Sequence, residues 1–246
     1  MFSPLEQFDV FCVYTCYFFN IFDLSFFNIL VPFVIIIFFF IFCYYMFLLN
    51  LYLIPTHYQY LFELSYIFIF NLIKQQVGIL GYPFFPLIYV LFVFILISNL
   101  FSLIPFGIAL TSHIILILWL SLSICFSIFI LGLCRLGLKY LKIFIPTSPL
   151  ILLPILILIE IFSYIIRAFS LAIRLSANVM AGHTLIYIVS SFVINITKIK
   201  LIFFILGVNF ILAISILEFG VAFLQAYVFC VLVCIYLSDA LHEAHH

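Results

Sequence analysis

The chain has 246 residues, of which 70% are hydrophobic and 7% charged, with a mean hydropathy of +1.52. An ordinary soluble domain carries roughly 25% charged residues, so this surface is too poor in charge to face water, and its solvent must be lipid. Eight basic and eight acidic residues give a formal net charge of +0, which offers no basic face and excludes nucleic acid as a partner.

Two long stretches lack Asp, Glu, Lys and Arg, one between Asp23 and Glu63, the other between Lys74 and Arg135. Each exceeds the roughly 20 apolar residues of a spanning helix, and the second has room for two. Residues 1–23 carry Glu6, Asp9 and Asp23 and no Lys or Arg. They contain no cleavable signal and read as an extramembrane or interfacial segment. A first transmembrane helix is expected over 24–54, with Pro32 in its first turns, where proline is tolerated, and Pro55 just beyond. Residues 57–80 mix His57, Gln59, Glu63, Lys74, Gln75 and Gln76 with Tyr, Phe and Leu, the composition of an amphipathic helix lying on the membrane surface. Gly78, Gly81 and Pro83 break it. The stretch 84–134 then holds a transmembrane pair, about 84–103 and 114–133, divided by Pro105-Phe106-Gly107. Arg135, Lys139 and Lys142 cluster after it and orient that loop toward the matrix or cytoplasm, although Lys198 and Lys200 would then face the other way. The cysteine pair Cys230/Cys234 sits in an apolar segment without neighbouring ligands, so it reads as small hydrophobic helix residues rather than a metal or disulfide site.

Segment 146–246 differs from the rest. All nine prolines lie at or before Pro154. Residues 149–198 are helix-compatible over roughly 72 Å and 201–241 over about 60 Å, against a hydrocarbon layer about 30 Å thick. Without breakers, such helices tilt rather than bend. The fold class expected is an all-α integral membrane protein of about five to six helices, ending in a long, strongly tilted, proline-free hairpin.

Glu160, Ser163, Arg167, Ser170, Arg174 and Asn178 recur on that first long helix so that, at about 100° per residue, they fall within about 40° of one line. Ser215, Glu218, Gln225 and Asp239 form a second stripe on the next helix. Charges at bilayer depth cost about 2.5 to over 10 kcal/mol and mark a pathway. Arginine keeps its proton at any accessible pH, and Glu160, the acid of its own stripe, is about 21 Å away along the axis. Arg174 therefore needs an anion from the second helix or another subunit, and suits a device in which a carboxylate moves past it. His183 faces nearly the opposite side, has a pKa suited to proton relay, and finds its natural partner in Glu218. Interhelical hydrogen bonds that glue a bundle would explain the serines alone, but not the charges.

The run from Arg174 to His183, Arg-Leu-Ser-Ala-Asn-Val-Met-Ala-Gly-His, closely resembles the signature of the ATP synthase subunit a family. So do Ile159-Glu160-Ile161-Phe162-Ser163, Leu217-Glu218, and Gln225-Ala226-Tyr227-Val228-Phe229. Weaker matches are Ser98 to Pro105 and Ser3 to Phe8. The resemblance implies a proton-translocating stator subunit without a catalytic site of its own. Arg174 would separate two half-channels and face the carboxylate of a rotating c-ring. His183 and Glu218 would line proton uptake, Glu160 and Asp239 proton release, and Asn178 and Gln225 would support the exchange surface. The stripe itself, rather than the resemblance, adds Arg167, Ser163 and Ser170 as candidates, with Arg167 open to three roles: a second relay group, a lipid-headgroup contact or a partner for another subunit. The histidine at 183 paired with the acid at 218 resembles the mitochondrial arrangement, implying a multi-pass protein of the mitochondrial inner membrane. Its partners would be the c-ring, other membrane-sector and peripheral-stalk subunits, protons and lipids. No cofactor or metal is implied, and no Gly-rich phosphate loop is present. The alternatives are a proton-coupled transporter or respiratory-chain subunit, which should show internal repeats, and a haem-binding subunit, which needs paired histidines.

Overall fold

A computed structural model describes residues 8–9, 12–18, 22–27, 33–34, 36–38, 40–41, 57–103, 110–137, 140, 153–196 and 201–242. Glu6, Pro105-Phe106-Gly107, Lys139, Lys142, Lys198 and Lys200, all used above, lie outside them. The described helices are α1 (His57–Gln76), α2 (Phe85–Ser102), α3 (Ile114–Leu136), α4 (Leu153–Ile196) and α5 (Leu201–His242). Positions 33–34, 36–38 and 40–41 are helical as well. Among the described residues, four stretches are long and apolar enough to cross a membrane: Ile79–Ser102, Ile114–Leu136, Leu153–Ile194 and Ile205–Leu241. The helical architecture with two long C-terminal helices is thus as expected. One element differs. Strands β1 (Cys12–Phe18) and β2 (Phe22–Phe27) pair antiparallel, with Cys16 opposite Leu24 and Tyr17 opposite Asp23. A helix beginning at residue 24 is therefore incorrect at its start, because residues 22–27 are extended and hydrogen-bonded to β1.

Local chemistry sets the helix boundaries. Val77 and Gly78 donate their N–H groups to the Ile73 carbonyl at 2.8 and 3.1 Å. Gly78 then adopts φ 75°, a positive value that glycine accepts at little steric cost, and α1 ends there. Gly137, at φ 61°, follows the end of α3 in the same way. Pro154 occupies the first turn of α4, where its missing N–H has no intrahelical partner to lose. With α4 at 44 residues and α5 at 42, both helices then continue without a further proline.

The chain divides into two compact units. The first takes 1–49, 94–113 and 175–225; the second takes 50–93, 114–174 and 226–246. In the second, Phe68 of α1 packs against Phe92 of α2 at 5.9 Å and Tyr227 of α5 at 5.7 Å. Cys230 and Cys234 are buried there, and the Cys230 thiol reaches the Ile88 carbonyl at 3.9 Å. The two cysteines thus behave as small core residues. α3 packs through Gly132, where Tyr140 fills the space a side chain would take. In the first unit α4 and α5 run antiparallel, with Val193 seated against Gly207 near the tip and Asn178 bonded to Gln225 further in. Many large apolar side chains of α3, α4 and α5 are exposed, among them Trp119, Phe162, Ile166, Leu217 and Phe219. Such surface suits lipid or partner helices.

Candidate proton path

In the first unit, three helices bring polar groups to one cavity of about 30 Å³. α2 contributes Asn99 and Ser102, α4 contributes Asn178 and His183, and α5 contributes Glu218 and Gln225; Leu103, Leu175, Val179, Val221 and Ala222 complete the wall. That volume exceeds the 10–15 Å³ or so that one water needs.

Glu218 gets there because α4 has no side chain at position 182. A Cβ on Gly182 would lie 2.5 Å from Glu218 Oε1 and 2.8 Å from its Cδ. The carboxyl therefore rests on the α4 backbone, immediately before His183. His183 Nε2 and Glu218 Oε1 are both buried without a hydrogen-bond partner among the described residues. The expected pairing of His183 with Glu218 is consequently one of shared cavity, not of direct hydrogen bonding. The Phe8 ring meets the His183 imidazole edge to face, 6.0 Å between centroids.

Asn178 donates to Gln225 Oε1 at 3.4 Å, while Gln225 Nε2 is buried and unpartnered among the described residues. Asn99 donates through Nδ2 to the Ala222 carbonyl at 3.3 Å, and Ser102 donates to the Asn99 carbonyl at 2.6 Å. Asn99 and Ser102 were not among the expected site residues. Their signal was present as two polar residues inside an apolar span, on the weaker of the family-like runs.

The second unit holds Glu160, Arg167, Arg174 and Asp239. The Arg167 guanidinium lies over the Tyr236 ring at 5.6 Å, and Tyr236 packs edge-on to Tyr164 at 5.0 Å. Tyr164 donates to the Cys125 carbonyl at 3.4 Å. Asp239 follows Tyr236 on α5 by about one helical turn. Glu160 is exposed on α4, as are Ser170 and Arg174. Ser170 bonds its own helix at the Arg167 carbonyl, and Ser215 does likewise at Leu212, so neither hydroxyl is directed at a charged group. Arg174 forms no ion pair among the described residues.

Comparison with known proteins identifies the family. The family model described as ATP synthase A chain matches residues 26–238. ATP synthase subunit a of Acanthamoeba castellanii is 40% identical over 248 residues, covering 100% of both chains. Subunit a of Pelagibacter ubique (strain HTCC1062) is 43% identical over 194 residues, 78% of each chain. That of Rhodopseudomonas palustris (strain BisB18) is 40% identical over 197 residues, 78% of this chain and 79% of the relative. The chain belongs to the ATP synthase subunit a family, the non-catalytic, proton-conducting stator subunit of the F-type membrane sector.

Proposed function

We propose that protons reach the rotor past His183 and Glu218 and leave past Glu160 and Asp239, with Arg174 as the fixed cation between the two half-channels. Arg174 carries this reading: it is a permanent charge on an apolar helix, exposed and without an ion pair among the described residues. A carboxylate of the neighbouring c-ring is the anion that answers it. A proton delivered past His183 and Glu218 neutralises that carboxylate, which can then turn through lipid at little electrostatic cost. On its return, the Arg174 cation favours the ionised form, and the proton departs past Glu160 and Asp239. Each charge crossing the membrane field releases about 2.3 kcal/mol per 100 mV. Asn178 and Gln225, joined across α4 and α5, hold the exchange surface, and Arg167, stacked on Tyr236, keeps a second positive charge near Asp239. Ser163 and Ser170 line the same stripe.

α1 lies along the membrane surface, the part of 24–54 beyond β2 supplies a further span, and α4 with α5 forms a strongly tilted hairpin. The complex supplies the remaining partners: other membrane-sector subunits, a peripheral stalk and lipid. The location is the mitochondrial inner membrane, supported by the full-length match to a eukaryotic relative beside 78% coverage for the bacterial ones. The test of this reading is Arg174→Ala in the assembled complex. Proton-driven ATP synthesis should vanish while assembly persists, and normal synthesis would refute the assignment.

A further inference from the structure

The uptake cavity contains a polar group that none of the roles above uses. Asn99 of α2 is 1% exposed. Its two amide atoms do different things: Nδ2 donates to the Ala222 carbonyl at 3.3 Å, and Oδ1 is buried without a partner among the described residues. Ala222 stands one helical turn after Glu218 and three residues before Gln225 on α5. The Nδ2 bond therefore fixes the turn of α5 that carries both. Oδ1 belongs to the residue that shares the cavity with His183 and Glu218, and the cavity, about 30 Å³, has room for about two waters.

We infer that Asn99 is a positioning residue of proton uptake, holding the Glu218 turn of α5 through its amide N–H and orienting a relay water through its amide oxygen. This rests on the uptake reading given above. A buried polar group with no protein partner costs free energy unless water satisfies it, and four groups of this cavity share that need: Asn99 Oδ1, His183 Nε2, Glu218 Oε1 and Gln225 Nε2. A water that donates one hydrogen to Asn99 keeps its other hydrogen for the Glu218 carboxylate and a lone pair for a proton from imidazolium. As that water accepts the His183 proton, its O–H bond toward Glu218 breaks. The carboxylate becomes a carboxylic acid, neutral imidazole remains, and the water is regenerated. The amide neither gains nor loses a proton. A residue acting only as glue between α2 and α5 would not need an unpartnered acceptor in a cavity that it shares with two titratable groups.

The experiment measures passive proton flux through the assembled membrane sector in lipid vesicles, as a function of pH, with assembly checked on native gels. Asn99→Leu removes both functions and should lower flux at least tenfold. Asn99→Asp keeps an acceptor and adds a titratable group, so its flux should gain a pH-dependent step that the parent lacks. Glu218→Gln is the control for the uptake reading. Parental flux and an unchanged pH profile in both Asn99 variants, with flux lost in Glu218→Gln, would overturn the role of Asn99 alone. Parental flux in all three would overturn the uptake reading and this inference together. If Asn99→Leu fails to assemble, the pH profile of Asn99→Asp decides.

Discussion

Gly182→Ala isolates the seating of Glu218 from every other feature of the path. The added Cβ would meet Glu218 Oε1 at 2.5 Å and Cδ at 2.8 Å. Ordinary carbon contact is about 3.5–4.0 Å, so the carboxyl must withdraw by about 1 Å. It is the far end of a flexible side chain, and alanine is a better helix former than glycine by about 1 kcal/mol. Folding and assembly should therefore hold. Proton transfer should not, since displacing a reacting group by about 1 Å can cost about 100-fold. In vesicles carrying the assembled complex, passive proton conduction should fall 10- to 100-fold with the amount of complex unchanged. Conduction at the parental rate would refute the claim that the bare α4 backbone at position 182 sets the carboxylate in place. Loss of the complex would instead show that the helix contact, not the carboxyl position, is what glycine protects.

Glu218→Gln should slow proton uptake about tenfold or more, because an amide cannot exchange the proton; passive flux through the membrane sector measures it. The Asn178–Gln225 contact, at 3.4 Å, is long and partly exposed, so a double-mutant cycle to alanine should return a coupling near the average of about 0.6 kcal/mol for hydrogen bonds in membranes. Gly132→Val should displace the buried Tyr140 ring, whose Cε2 would lie 2.5 Å from a Cβ there. Overpacking of that kind costs about 1–3 kcal/mol and should appear as a lower Tm of the membrane sector with proton selectivity unchanged.

Much of the candidate path is legible because charge in oil is conspicuous. Arg174, His183, Glu218 and Asp239 stand out against an apolar chain, and the missing prolines after Pro154 announce two unbroken helices. What escaped was everything carried by small or neutral groups. Gly182 contributes by lacking atoms, which composition does not register. Asn99 and Ser102 lie on α2, distant in sequence from the stripes, and only folding joins them to His183 and Glu218. Tyr236 reads as one more aromatic among 15 tyrosines until the Arg167 guanidinium is found above it. The hairpin of β1 and β2 was missed for another reason. Its Tyr, Phe and Cys content satisfies a hydropathy scale, while Val13 and Thr15 in β1 and the aromatic residues of both strands suit an extended chain equally well. Serines misled in the opposite direction: Ser170 and Ser215 share faces with the charges yet bond their own helices, the usual fate of a hydroxyl in a membrane helix.

The account depends on Arg174 being answered from outside its own chain. The direct measurement is the distance, in a density map of the assembled synthase, between the Arg174 guanidinium and its nearest acidic side chain. A carboxylate of a rotor subunit within about 4–6 Å, close enough to govern its ionisation, is the expected result. An acid of the same chain permanently bound to Arg174, or a guanidinium bathed in bulk water away from the rotor, would contradict the mechanism.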